Sequence, residues 1–394
     1  MAETRSPLIP YIATVALWHC GTAMQTVLFS WLVVGVLEAP AETVGLVQMA
    51  HVAPIMALLL LGGTVADRTN RRPLLIRLQL VAAALGLGLA FAVSHELLVL
   101  PLLVVYALVM GSVTAFVMPT RDAMLNDVSS GNLMRGATLL TLAQFGAQAL
   151  GTFTAGSASF LGIGTTLCLQ ASLMAAASVP ARFLPASGAT RGARIGLSEL
   201  ASGVREVAGN PILRSTIFMM TGVGLFLSGA YFVVMPIVVR DLYHGNVADL
   251  SLFMTMLQSG SMLGAIGLLA LGNIPRRGAL LAVSMFASTL PLFVLGSGVS
   301  FHAALAVGFF WGLCVAAFSS LGRAIFQEAA PPEQRARVLS VFTLSTIGAG
   351  VLGQPVSGFV AGAVGPHMAF TLAGIALLAF VAFVTLTTQL RHID

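Results

Sequence analysis

The chain has 394 residues, 57% hydrophobic and 8% charged, with a formal net charge of +5. A mean hydropathy of +0.95 excludes a soluble globular domain. The basic residues are all arginine and stand in short stretches between apolar segments, a placement that excludes a basic nucleic-acid-binding face, so no nucleic-acid partner is expected.

A bilayer core takes about 20 apolar residues per helix, and the chain supplies twelve such runs. In order they cover roughly 8–37, 42–66, 74–94, 97–126, 132–160, 164–184, 212–240, 247–272, 278–298, 301–328, 335–362 and 366–389, with ends uncertain by a few residues. No basic stretch with a short apolar core and a small-residue cleavage site stands at the start, so the first run is expected to be a retained helix. Cys20, Cys168 and Cys314 each fall inside an apolar run. They are too scattered for a zinc site and read as small packing residues; neither metal nor cofactor is expected.

The one long connection, 185–211, is polar, Gly-rich and basic. Ile195, Leu197, Leu200, Val204 and Val207 give it a weak helical stripe, expected to lie as an amphipathic helix on the membrane surface. It divides the chain into an N-terminal bundle, 1–184, and a C-terminal bundle, 212–394. Arg5, the 62–77 loop, Arg121, Arg135, the linker, Arg276, Arg277, Arg323, Arg335, Arg337 and Arg391 fall on one side if twelve spans alternate, and Arg240 alone falls on the other. The positive-inside rule then puts both termini in the cytoplasm.

The two halves repeat. With residue 121 set against 323, Arg121 meets Arg323, Arg135 meets Arg337, Gly146 meets Gly348, Gly151 meets Gly353 and Gly156 meets Gly358, without a gap. The pairs Arg71-Arg72 and Arg276-Arg277 match after a small insertion. Two related six-helix halves suit a transporter that rocks about a central site and are hard to explain in a membrane enzyme or receptor. No Ser/His/Asp cluster, metal spacing or nucleotide-binding loop argues for an enzyme or a self-contained ATP-driven pump.

Polar residues inside the spans mark a candidate cavity. His19, Thr22, Thr26 and Ser30 share one face of the first span, bordered by Gln25. Thr141, Gln144, Gln148 and Thr152 form a stripe on the fifth, and Thr346, Gly350 and Gln354 its mate on the eleventh. Tyr106 and Thr114 on the fourth span, Thr221, Ser228 and Tyr231 on the seventh, and Trp311 on the tenth complete the set. Gln and His are costly at bilayer depth unless they meet partners or water; hydrogen bonds between helices account for them as well as a cavity does. No acid or arginine is expected at mid-membrane. The cavity then reads as nearly neutral, suited to large amphipathic molecules and not to sugar phosphates or dicarboxylates. Proton carriers are sought in His19 and His51, whose ordinary pKa lies near pH 6.5, or in Asp122 and Asp127.

Residues 62–77, GGTVADRTNRRPLLIR, concentrate charge between the second and third spans. Gly63, Ala66, Asp67, Arg68, Arg71 and Arg72 resemble the loop motif of the major facilitator superfamily. Two positions depart: Val65 stands for leucine or tyrosine, and Asn70 stands for glycine, a turn position Asn suits because it tolerates left-handed backbone. The resemblance runs over nearly the whole chain and implies an all-α membrane protein, twelve transmembrane helices in two pseudo-symmetric six-helix bundles. It implies further that Asp67 meets a helix N-terminus and, with Arg68, Arg121 and Asp122, closes a cytoplasmic latch, Glu328 and Arg337 being the second-half equivalent. A topological basic loop without a gating role explains the same charges. Within the superfamily, MPTRDAML (118–125) and QEAAPPEQRARVLSV (327–341) are similar to the branch of enterobactin exporters and macrolide efflux proteins. The glycine-rich fifth span lacks the proline of the antiporter element, which Gly353-Gln354-Pro355-Val356-Ser357-Gly358 partly echoes. The expectation is a monomeric, membrane-embedded secondary exporter of amphipathic small molecules, coupled to protons, with membrane lipids as its surroundings; a lipid translocator or an uptake permease is the alternative.

Overall fold

A computed structural model of the chain describes residues 7–128, 133–186, 197–272, 276–331 and 334–388. These residues are helical and contain no strand. The long helices are α1 (Leu8–Val36), α2 (Ala41–Arg68), α3 (Arg71–Ser94), α4 (Leu100–Val128), α5 (Leu133–Ala155), α6 (Ile163–Ala181), α7 (Pro211–Asp241), α8 (Val247–Leu271), α9 (Arg277–Gly296), α10 (Phe301–Ala329), α11 (Arg335–Val364) and α12 (Pro366–Thr387), with a linker helix at Leu197–Gly209. Eleven are long and apolar enough to cross a bilayer. The twelfth, α5, has 23 residues, about 34 Å at the α-helical rise, enough for a core of about 30 Å. The architecture is the expected multi-pass all-α one.

Local chemistry sets the ends. Asn210 caps α7, its side chain accepting from the backbone N–H of Ile212 at 3.0 Å, with Pro211 in the first helical position. Gly365, at φ 83°, turns the chain between α11 and α12. Asn70 is not left-handed: at φ −68° and ψ 114° it caps α3, accepting from the N–H of Arg72. Asn70→Ala should therefore cost about 1 kcal/mol, whereas Asn70→Gly should cost only a few tenths. Thermal unfolding of the two variants checks this; equal losses would refute the cap.

Contacts group the described residues into two compact units. The first comprises Met1–Leu37, Ala53–Arg194 and Asn246–Thr255; the second comprises Glu38–Val52, Ile195–Gly245 and Met256–Asp394. Each thus holds the first turns of a helix whose remainder belongs to the other.

In the first unit, α1 runs along α5 and α6, burying Tyr11, Met24 and Leu28. Gly151 of α5 lies so close to the Cys20 carbonyl that no Cβ fits. Gly156 faces Ser251 at the start of α8, whose hydroxyl donates to the Thr152 carbonyl at 2.5 Å. Thr255 donates to the Thr152 hydroxyl at 3.1 Å.

The second unit repeats this plan. Gly353 of α11 lies against the Gly224 and Leu225 carbonyls of α7, and Gly358 against Ala41 and Gly45 at the start of α2. The amide of Gln48 donates to the Phe232 carbonyl at 3.2 Å. Arg240, the lone arginine expected outside, forks onto Asp241 and reaches the Ala39 carbonyl at 3.5 Å. The mated glycines thus have mated work: 151 and 353 admit α1 and α7, and 156 and 358 admit the first turns of α8 and α2.

The linker helix does not rest its buried face on the membrane. Gly203 sits against the Arg337 backbone and Val341, and Val207 joins a cluster of Leu213, Phe326, Ala330, Val338 and Val341 in the second unit. Val204 is half exposed. Ile195 lies outside the described residues, as do Arg5, Arg391 and the side chains of Leu197, Leu200, Arg135 and Arg335.

Candidate functional site

The loop motif folds around a residue that the expected latch did not centre on. Arg71 opens α3, and its guanidinium, only 10% exposed, bonds Asp127 of α4 at 2.8 Å, Asp67 at 3.4 Å and the Ala66 carbonyl at 3.2 Å. Asp67 and Arg71 stand four apart across the α2–α3 corner. Arg72 donates to the Leu184 carbonyl at 3.1 Å, and Arg68 is exposed. Gly63 has open space where a Cβ would go; its neighbour Gly62 is the residue pressed against Ala115 and Phe116 of α4. In the second unit, Glu328 pairs with Arg277 at 2.5 Å. Arg277–Glu328 joins α9 to α10 as Arg71–Asp127 joins α3 to α4, so the repeat extends to this ion pair.

Arg121 pairs with Asp122 and also reaches α1. It lies inside the span Leu100–Leu125 with 13% of its side chain exposed. Its Nη1 stands 2.5 Å from His19 Nε2, while Nε and Nη2 donate to Asp122 Oδ1 at 3.1 and 2.9 Å. Tyr11 donates its hydroxyl to the Arg121 carbonyl at 2.8 Å, which ties α1 to α4. A guanidinium can only donate, so His19 Nε2 accepts and carries no proton. The ring proton of the neutral imidazole then sits on Nδ1, which lies 3.4 Å from the Gln148 amide of α5. With the amide oxygen turned toward it, Gln148 accepts that proton. His19 is eleven residues along α1, about 16 Å from Leu8. The Arg121 Cα sits toward the end of α4, and a long, flexible stem brings its guanidinium to His19 of α1.

His19, Thr22 and Thr26 share a half-buried face of α1, whereas Ser30 is buried. Thr22 and Thr26 donate to carbonyls of their own helix, at His19 and Thr22; Thr114 does the same to Met110. Gln25 is buried with no partner for its Oε1, and Phe29, one turn on, packs 6.1 Å from Tyr106. Gln144 is half buried on α5. In the second unit, π-helical turns at Val223–Leu227 and Ala230–Val234 flank Ser228, which bonds the Gly224 carbonyl. Such turns rotate the helix face beyond them. Tyr231 then meets Trp311 edge to face at 6.3 Å. The Trp311 indole N–H and Gln354 Oε1 are buried without partners. His51 lies in the segment that groups with the second unit. Tyr11, Gln79 and Gln170, all buried, escaped the sequence reading; only their polarity within apolar runs could have flagged them.

Two helix sets with repeated crossings, charged corners and polar faces on α1 and α7 narrow the comparison with known proteins. Residues 8–394 match the family described as transmembrane secretion effector. The chain belongs to this family of the major facilitator superfamily. Among solved structures, a substituted form of the nucleoside transporter NupG matches with a TM-score of 0.76 at 16% identity, covering 96% of this chain and 99% of the other. A bacterial homologue of the human lysosomal transporter Spinster matches at 0.73 and 12% identity, covering 99% and 97%. A POT family transporter in complex with 5-aminolevulinic acid matches at 0.74 and 12%, covering 97% and 96%. At such identities the likeness shows the fold. No curated protein matches the chain. The secretion effector family thus places the chain among multi-pass membrane transporters.

Proposed function

We propose that the protein is a monomeric secondary exporter of amphipathic small molecules, of the drug or siderophore class, working by proton-coupled alternating access in the inner membrane with both termini cytoplasmic. The observation that carries this reading is the mated pair of glycine crossings. The starts of α2 and α8 rest on α11 and α5 at Gly358 and Gly156, positions the repeat relates. Crossings made mostly of backbone and small residues can part and re-form with few large side chains to repack. The family's description as a secretion effector supports the outward direction. The charged corner Asp67–Arg71–Asp127 and its counterpart Arg277–Glu328, each within its own half, are the gating residues of this reading, and the proton carrier is sought among His19, His51, Asp122 and Asp127.

The test is uptake of an amphipathic dye by proteoliposomes with and without an imposed pH gradient. Gradient-driven uptake is expected, reduced at least about tenfold, the equivalent of 1.4 kcal/mol, by Asp67→Asn and by His19→Ala. Coupled transport that survives His19→Ala would move the proton to Asp122, Asp127 or His51. Absence of flux for every amphipathic compound would sink the exporter reading in favour of a lipid translocator or an uptake permease.

A further inference from the structure

We propose that Arg121 is the seat for an acidic group, a carboxylate or its equivalent, on the transported molecule, and that His19 holds that seat when no substrate is present. This rests on the transport reading above and narrows its substrate class.

The guanidinium offers two edges. Nε and Nη2 converge on one oxygen, Asp122 Oδ1, while Asp122 itself is 57% exposed. The other edge, Nη1 with the second hydrogen of Nη2, meets only an uncharged imidazole nitrogen. A guanidinium fork matches a carboxylate in a two-point, charge-assisted pair, which a single imidazole lone pair cannot reproduce. An incoming carboxylate can therefore take Nη1 and Nη2 together and displace His19 Nε2. Asp122 need not move, because it occupies the opposite edge. The displaced imidazole keeps its Nδ1 contact with Gln148.

The surroundings favour such a guest over a structural ion pair. Arg121, with 13% of its side chain exposed, His19 and Gln148 are each mostly buried but keep some exposed surface. The same α1 face carries Thr22 and Thr26, and their hydroxyls are spent on the helix backbone, so neutral groups nearby hold little free donor capacity. Charged neighbours are few. From α4 come Arg121 and Asp122; α5 offers the neutral Gln148, its one ionisable residue, Arg135, having a side chain outside the described set; from α6 the one titratable residue is Cys168, which is exposed. Nothing described there competes with an incoming acid except Asp122. The neutral cavity inferred from sequence thus acquires a guanidinium whose countercharge, Asp122, occupies only one of its edges, and the fitting substrate is an apolar body with a single acidic group.

The test compares naphthaleneacetate with naphthaleneacetamide, which share a body and differ in charge. Binding to the full chain in neutral-lipid nanodiscs is measured by titration. The wild type should prefer the acid by about tenfold or more. Arg121→Gln should bring the two within about twofold, Arg121→Lys should keep part of the preference, and His19→Ala should raise affinity for the acid by removing its competitor. Equal binding of acid and amide to the wild type, or a preference that outlives Arg121→Gln, overturns the proposal. If Arg121→Gln does not fold, the wild-type preference and the direction of the His19→Ala change decide. Binding reads the seat alone: acid preference without flux of any compound would count against the exporter and not against Arg121.

Discussion

Arg71→Ala destabilises the protein by about 3 kcal/mol, near the lower range for breaking a buried charge pair, and its thermal midpoint in detergent falls accordingly. The side chain is 10% exposed and serves two carboxylates and the Ala66 carbonyl. Removal leaves Asp67 and Asp127, 33% and 26% exposed, facing each other without the cation between them. Like charges then add repulsion to lost pairing. Arg71→Lys restores the charge but not the fork that spans two acids and a carbonyl, so it should recover only part of the loss. The double change Arg71→Ala with Asp127→Asn should recover more than half, because the stranded charge is gone. A midpoint unmoved by Arg71→Ala would show that the corner is held by packing alone. Transport by the same variants separates roles: a latch predicts lost coupling even in the rescued double variant.

The second large effect is at Gly45 and Gly358. A Cβ on Gly45 would lie 2.7 Å from the Gln354 carbonyl oxygen and 2.9 Å from the Pro355 Cα, and one on Gly358 would lie 3.1 Å from the Gly45 Cα. These are backbone atoms and cannot swing aside as a side chain would. Either alanine should cost about 1–3 kcal/mol at this crossing, the range for overpacking, and both together should separate the helices. Hydrogen exchange over residues 41–52 reads the outcome. Protection there should fall by about a hundredfold, the equivalent of some 3 kcal/mol, with the α3 core unchanged. Unaltered exchange in the double variant would mean that the segment is held instead by Gln48 and Arg240.

What was legible in the sequence follows from the length scale of each determinant. Span positions, the helical class and the paired halves depend on local hydropathy and on repetition, and both are visible without coordinates. The repeat even picked out Gly151, Gly156, Gly353 and Gly358, whose shared reason, a close helix crossing, is present in both units. Partner choice was not legible. Glu328 had several arginines within reach along the sequence, and only the packing of α9 beside α10 selects Arg277. Arg121 was placed near the end of its span, and only the packing of α1 beside α4 shows that its side chain meets His19. Asn70 suited either a left-handed turn or a cap, and the choice depended on where α3 begins. The linker stripe fitted a lipid surface or a protein groove equally well until α10 and α11 were placed.

The exchange of helix starts also bears on how the chain is made. Glu38–Val52 packs within the second unit, and its glycine meets Gly358. On the ribosome, the start of α2 emerges about 310 residues before its partner on α11, a wait of roughly 15–60 s at ordinary elongation rates. Until then the face carrying Gly45 and Gln48 stands in the bilayer without its final neighbour. This crossing therefore waits for the synthesis of α11, and a nascent chain arrested before α11 should present the 41–52 segment to proteases or membrane chaperones that never see it in the finished protein.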